Sequence, residues 1–413
     1  MYGISRRGLM KSGVAAGVLG LTGMPLLAQA KRGGKLTAGL GGANTSDSWD
    51  SRTHSDIFMS ASAHGAVFDC LTEVAADGSL KGELAESWEA TPDAKTWTFN
   101  LRSGVTFHNG KAFGADDVIA SLQMHLGEES KSAAKPIVEA IVEMKKISDM
   151  QVQFTLAAGN ADFPYLMSDY HLNMFPAGQI EEAIAKGIGT GLYAVVSFDP
   201  GVRMVARRVD DHYKGDSAGF FDEIEYIAIN DNTARMNALM TGQVDAINRI
   251  DFKTEALLNA NPALRIQEVT GNQQYTFPML TNSAPYNDVN VRRAIKYGVN
   301  RQEMVDKILQ GHGAVGNDTP IGPANQYYND EMEQTTYDPD KAKFYLKEAG
   351  MDSIDLNLSA SNAAFEGAVD AAQLIQASMA PAGININVIQ EPADGYWSNV
   401  WLKKPFSAAY WSG

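Results

Sequence analysis

Hydrophobic and polar positions along this chain alternate in two different rhythms, often in close succession. Residues 35–40 are a short apolar strand running into glycines 39, 41 and 42. Residues 80–113 read as an antiparallel meander. Trp97, Phe99 and Leu101 alternate with polar neighbours, and Val105 and Phe107 continue the pattern. Pro92-Asp93, Ser103-Gly104 and Asn109-Gly110 supply the turn chemistry between the strands. The period then changes from two to 3.6. A helix opens at Asp116-Asp117, whose carboxylates suit its positive end, and Val118, Leu122 and Leu126 form its apolar stripe. A helix over 61–71 carries Cys70. Val152, Phe154 and Leu156 mark another strand. Residues 224–229, 233–241 and 244–247 give strand, helix and strand, with Gly242 stopping the helix.

The second half is more helical. Residues 291–299 form one helix, and Asn300 caps the next with Glu303 at the capping-box position. Asp338-Pro339 starts a helix that Gly350 ends. A helix over 365–379 is broken by Pro381 and Gly383. Ile384, Ile386 and Val388 then alternate with Asn385 and Asn387, so one strand face is buried and the other polar. Residues 406–411 read as a further strand. The fold class is α/β or α+β, with mixed sheets in at least two lobes.

At 413 residues the chain is long enough for two or three domains. Hydrophobic residues at 45% and charged residues at 20% exclude disorder and a polytopic membrane protein. A net charge of −15 repels phosphate backbones and anionic lipid, so nucleic acid is not an expected partner. One cysteine, Cys70, excludes an internal disulfide framework and a Cys-rich zinc site.

The first thirty residues read as an address. Ser5-Arg6-Arg7-Gly8-Leu9-Met10-Lys11 is followed by an apolar run softened by Gly17, Gly20 and Gly23, then by Ala28-Gln29-Ala30. A basic start, a short apolar stretch and a small-x-small end make a secretory signal, and the arginine pair gives it a twin-arginine character. The apolar run falls short of the roughly 18–20 residues that span a bilayer. Cleavage is expected after Ala30, leaving a soluble monomer in the periplasm.

Candidate chemistry is sparse. Gly311-His312-Gly313-Ala314-Val315-Gly316 matches GxGxxG, but a helix precedes it and a Pro-containing loop follows. A dinucleotide site needs the reverse order, so that a helix N-terminus faces the pyrophosphate. Asp116-Asp117 reads as a helix start, Cys70 as a small core residue, and His108 as a turn residue without an obvious carboxylate or nucleophile partner. No nucleophile, base and orienter assemble, and no cofactor or metal is expected. Aromatic residues are more suggestive. Tyr275 and Phe277 are two apart, hence on one strand face, and Tyr396, Trp397, Trp401, Tyr410 and Trp411 cluster late in the chain. Flat rings give a large contact area at low entropy cost, as a pocket for organic solutes needs.

One long run carries a family likeness. It contains Leu84-Ala85-Glu86-Ser87-Trp88, Trp97-Thr98-Phe99-Asn100-Leu101-Arg102, residues 104–110 and Ala115-Asp116-Asp117-Val118. It resembles the signature of the family 5 solute-binding proteins of ATP-binding cassette importers, the dipeptide, oligopeptide and nickel type. Gly189-Thr190-Gly191-Leu192-Tyr193 is similar to that family's GTGPY, with Leu192 in place of proline. Residues 231–245, ending Gly242-Gln243-Val244-Asp245, residues 287–295 and residues 337–350 follow in family order.

The resemblance implies a two-lobed periplasmic-binding-protein fold (class II-like) with an extra β-rich subdomain in the first lobe. The first lobe would take 31–55 plus 186–270, the inserted subdomain 56–185, and the second lobe 271–413. It also implies a receptor that traps a peptide or other small organic solute between its lobes and hands it to membrane permease subunits. The expected pocket has Tyr275 and Phe277 near the hinge, Trp411 and Ser412 on a cleft strand, and Thr45 and Ser46 from the first glycine-rich loop. Family members continue past the Trp411 segment, so the chain is expected to be C-terminally incomplete. On that expectation, residues 31–413 alone would aggregate and bind poorly. The aspartate that holds a peptide's amine in some relatives would lie beyond Gly413, and Ala408 stands where some carry arginine. The rival reading is an exported periplasmic enzyme with a non-covalent cofactor.

Overall fold

The computed structural model describes residues 31–75, 78–268, 273–322 and 328–411. The leader and Ser412 lie outside these residues.

Strand β1 (Lys35–Leu40) enters the first sheet, its last three residues buried. The chain then leaves it. A short helix, Ile57–Ser62, winds into a single π-helical turn, Ala63–Val67. The expected helix over 61–71 therefore ends early. Phe68 is extended, and the carbonyls of Cys70 and Leu71 accept from the amides of Leu84 and Glu83, which holds this stretch as a strand-like link. β2 (Thr72–Val74) and β3 (Leu80–Gly82) pair as a hairpin. β4 (Ala85–Ala90), β5 (Thr96–Leu101), β6 (Ile141–Ser148) and β7 (Gln151–Leu156) make an antiparallel sheet in the order β4-β5-β7-β6. The predicted alternation is what builds it. Trp97 lies opposite Phe154 and Phe99 opposite Val152, and all four are buried. Phe163 packs its ring against Trp97, Phe99 and Phe154, and the helix Ala115–Gln123 covers the same region. Asp117 serves that helix as the sequence implied, accepting from the Gly114 amide at 2.9 Å.

β8 (Tyr193–Asp199), β9 (Arg203–Arg208), β10 (Glu223–Ala228) and β11 (Ala246–Ile247) return to the first sheet. Its order is β11-β1-β10-β9-β8. β1 lies between β10 and β11 and is parallel to both, and the helix Asn232–Met240 crosses over between them. The last strand is shorter than the predicted 244–247, because the chain is still turning after Gly242 at φ +72°.

In the second half, β12 (Gln274–Thr276) pairs antiparallel with β15 (Ala409–Trp411). β13 (Ile354–Ala360) and β14 (Ile384–Gln390) run parallel, connected by the helix Ala368–Met379. On β14, Ile384 and Ile386 are buried, while Asn385 and Asn387 donate to Asp355 and Asn357 across the exposed face. The expected strand over 406–411 is partly broken. Phe406 bridges Met279 and Ser407 bridges Ser359, so the segment changes partners before joining β12. Residues 406–409 are buried on both faces rather than alternating.

Two hydrophobic cores result. One holds Phe58, Phe68, Phe99, Phe107, Phe154 and Phe175. It runs without a break from the first sheet into the four-stranded sheet. The other holds Tyr286, Leu346, Leu358, Ile375, Tyr396 and Phe406. Separate cores on one chain define two lobes. No helix among the described residues is long and apolar enough to cross a membrane.

Candidate functional site

Parallel strands present their carboxyl ends to a common edge, and loops leaving that edge are where open α/β sheets form their crevices. Both lobes do this, and they do it toward each other. After β1 come Gly41, Gly42, Ala43 and Asn44. After β10 come Asn230 and Asn232, and after β11 comes Arg249. From the other lobe, Asn362, Ala363 and Glu366 follow β13, and Ala393 and Trp397 follow β14. Together they line a cleft of about 540 Å3, open mouth included.

Side chains tie the first-lobe loops together. The Asn230 Oδ1 accepts from the amides of Gly42 at 2.8 Å and Ala43 at 3.2 Å, and its Nδ2 donates to the Ala43 carbonyl. Asn248 accepts from the Gly41 amide at 3.0 Å. Arg235 is the central brace. It is buried, and its guanidinium donates to the carbonyls of Ile229, Asn230, Asn248 and Arg249 and to the Asn232 side chain. Five donors in a fixed fork suit this task, since the strand-end carbonyls have no other partner in the sheet. Burial pulls its pKa below the ordinary arginine value.

Asp56 joins the two lobes. It is 4% exposed and caps the helix Ile57–Ser62 by accepting from the Ile57 amide at 2.6 Å. Two of its contacts come from the second lobe. Trp397 Nε1 donates to Oδ2 at 2.9 Å and the Tyr410 hydroxyl to Oδ1 at 3.1 Å. The Arg249 guanidinium stands 3.4 Å from Oδ1 and lies over the Tyr410 ring at 4.5 Å. Burial works against the Arg249 charge, but Asp56 and Tyr410 outweigh it and hold the pKa above the usual value. The Tyr410 hydroxyl is pushed well above its ordinary range by burial and then by Asp56. Gly42 makes room for this cluster. It sits at φ +89°, and a Cβ there would fall 2.3 Å from the Asp56 carboxyl carbon. Two further bonds cross the cleft, from the Thr45 amide to Asp394 at 3.4 Å and from the Gly395 amide to Asn44 at 3.1 Å.

Two carboxyls here are held above the usual carboxylate range. Burial raises Asp47 to about 6, with Asp56 and Asp394 adding to it against a bond from the Asn44 amide. Glu366 is raised by burial and by Asp251, and accepts from Asn362 at 3.3 Å. Asn232 keeps a buried amide Nδ2 with no hydrogen-bond partner.

The sequence-predicted residues fall around this cleft rather than along its lining. Tyr275 and Phe277 do share a face, and both rings meet Phe365, Tyr275 stacked at 4.2 Å and Phe277 edge-on at 5.8 Å. Trp411 is 50% exposed and meets Trp401 edge-on at 5.4 Å. Thr45 and Ser46 are exposed at the rim, Thr45 engaged through its backbone. The late aromatic cluster is real, with Tyr396, Tyr410 and Trp401 all around Trp397. Trp397 and Tyr410 reach the cleft; sequence reasoning named them within the cluster but singled out Trp411 for the pocket. It passed over Asp56, Arg249 and Glu366. Asp56 had a local signal, an aspartate before an apolar helical run, but that signal speaks of capping and not of a second lobe. Cys70 is a buried core residue, as expected. His108 is held by backbone groups, its Nε2 lying 2.8 Å from the Gly191 carbonyl and its Nδ1 accepting from the Gly189 amide at 3.4 Å. The GxGxxG segment follows a helix and opens into a loop, without the strand that a dinucleotide site needs.

A fold of two α/β lobes, with strand-end loops converging on a polar cleft, is that of periplasmic binding proteins. The model of the bacterial extracellular solute-binding proteins, family 5, matches residues 79–413, and the chain belongs to that family. It is similar to heme-binding protein A of Haemophilus influenzae, 29% identical over 299 residues, covering 66% of this chain and 54% of that protein. It is also similar to the nickel-binding periplasmic protein of Escherichia coli, 28% identical over 361 residues, covering 80% of this chain and 66% of that one. The chain thus spans between half and two thirds of the length of these relatives. Among solved structures, a periplasmic binding protein of Helicobacter pylori in complex with a peptide superposes with a TM-score of 0.83 at 23% identity, covering 94% of this chain and 80% of that one. This is a likeness of fold.

Proposed function

We propose that the protein is a periplasmic receptor of an ATP-binding cassette importer that closes its lobes on a small polar solute and delivers it to the permease. The observation that carries this reading is the cleft itself. Its walls come from both lobes, so a solute inside touches both only when they are together, and it therefore stabilises the closed state. Arg249, the asparagines and the unpartnered Asn232 amide offer donors, which suits a solute rich in carbonyl or carboxylate oxygens. Tyr275, Phe277 and Trp411 form the outer part of the pocket in this reading, with Thr45 and Ser46 at its rim. Family membership favours a receptor over an exported enzyme.

The division into 31–55 plus 186–270, 56–185 and 271–413 is supported by the sheets, since β1 shares one with β8 to β11 while β4 to β7 form their own. Export follows the twin-arginine route, with cleavage after Ala30. Mass spectrometry of solute released from the purified protein tests the function. A single solute that raises the melting temperature when added back is the expected result. Stoichiometric release of a redox or nucleotide cofactor instead would refute the receptor reading.

A further inference from the structure

Away from the cleft, the π-helical turn Ala63–Val67 places His64 beside Cys70 and Glu83. One ligand atom from each of the three lies within 4.8 Å of the others. The Cys70 amide donates to Glu83 Oε2 at 2.6 Å, which fixes that oxygen next to the thiol, and His64 Nε2 stands 3.8 Å from the same oxygen. Glu83 Oε1 is held by Lys214, which is itself held by Glu73 at 2.9 Å. Both oxygens of the carboxylate are thus oriented, and Oε2, which accepts from the Cys70 amide, keeps a second lone pair for a ligand. Cys70 and Glu83 are buried, while the His64 side chain is 26% exposed and opens the group to solvent.

We propose that His64, Cys70 and Glu83 form a binding site for one zinc ion, separate from the solute cleft. Thiolate, imidazole and carboxylate are zinc's ordinary donors, and a tetrahedral ion places such atoms roughly 3.5 Å apart, so the side chains need to close in by only about an ångström. Water takes the fourth position. A thiolate and a carboxylate neutralise the dication, which favours burial of the whole group. Binding breaks the Cys70 S–H bond, forms a sulfur–zinc bond and releases one proton to solvent.

A second observation points to a thiolate here. Asn173 is fully buried, its Oδ1 lies 3.7 Å from Cys70 Sγ, and its Nδ2 has no partner. Turned over, the same amide donates to a thiolate and is satisfied. Without a metal the thiol donates to the Asp169 carbonyl at 3.3 Å.

Cobalt(II) followed by zinc titration of the metal-free protein tests the site. Cys70 is the only cysteine, so a thiolate-to-cobalt charge-transfer band reports this site alone. One equivalent of cobalt should give the band, and one of zinc should remove it. Cys70→Ser should abolish the band. His64→Gln, on an accessible turn, should keep the native circular dichroism and weaken zinc binding at least tenfold. His312→Gln, which removes the exposed imidazole between Glu255 and Glu268, should change nothing at this site. No band in the parent protein, or undiminished zinc affinity in His64→Gln, would overturn the proposal, whether or not Cys70→Ser folds.

Discussion

Replacing Asp56 by asparagine isolates what holds the lobes together. Asparagine caps helices as well as aspartate does, so the helix Ile57–Ser62 keeps its cap. The side-chain shape is also kept. What changes is the charge. With its oxygen in the Oδ1 position the amide still accepts from the Ile57 amide and the Tyr410 hydroxyl, and the new NH2 then faces Trp397 Nε1, so that bond is lost. The Arg249 guanidinium, 3.4 Å from Oδ1, then faces a neutral amide oxygen in place of a carboxylate. At an effective dielectric of 20 the lost attraction is about 5 kcal/mol before any offset. Part of it only compensated the burial of Asp56, so the net loss in a charge-assisted hydrogen bond is about 2 kcal/mol.

Urea unfolding curves would be measured for the parent, Asp56→Asn, Tyr410→Phe and the double variant. Because Asp56 and Tyr410 belong to different lobes, they couple only while the lobes are closed. A coupling of about 1 kcal/mol is expected from a shared network at hydrogen-bond distance. Small-angle scattering should show a larger radius of gyration for Asp56→Asn. Additivity within about 0.4 kcal/mol, with unchanged scattering, would refute the bridging role.

Other substitutions probe the supports of the same site. Gly42→Ala should open the lobes much as Asp56→Asn does, since its methyl group would displace the Asp56 carboxylate; scattering would read it, and a closed, equally stable variant would contradict the contact. Arg235→Lys should destabilise by about 3 kcal/mol in urea, because an ammonium cannot reach the four carbonyls that the guanidinium serves. Burial lowers the His54 pKa to about 4 and that of His125 to about 4. The folded state thus resists protons that these histidines take up below about 6.5 in the unfolded chain, so their contribution to stability should be flat above that pH and fall toward pH 4, by roughly 3 kcal/mol for His54, while Asp47, raised to about 6, works in the opposite direction. His54→Gln should flatten this slope in urea titrations at several pH values. The twin-arginine reading predicts that Arg6 and Arg7 changed together to lysine leave the precursor in the cytoplasm; normal processing of that variant would contradict it.

How much of this was legible in the sequence depends on the range of the interaction concerned. Trp97, Phe99 and Leu101, and likewise Val152, Phe154 and Leu156, alternate because each strand has one wet face, and that constraint is written in consecutive residues. The caps at Asn300 and Asp338 are equally local, each side chain accepting from an amide three residues on. The segment 406–411 was misread for the opposite reason. Residues 406–409 are buried on both faces by partners more than forty positions away, so no alternation marks which face is inner. The cleft is of this second kind throughout. Asp56 announces itself only as a helix cap, while its main partners lie 341 and 354 residues later in the chain. The late aromatic cluster did announce a pocket wall, but ring content alone cannot distinguish the ring that turns inward from its neighbour. On β15, successive side chains point to opposite faces, so a single register position separates Tyr410, on Asp56, from the half-exposed Trp411. The same rule applies to polar residues. An arginine that braces backbone carbonyls, as Arg235 does, and one that leans over a ring beside the cleft, as Arg249 does, differ in what surrounds them and not in their local sequence. Fold class follows from short-range pattern in this chain, and the chemistry of its cleft follows from which strand ends the two lobes bring together.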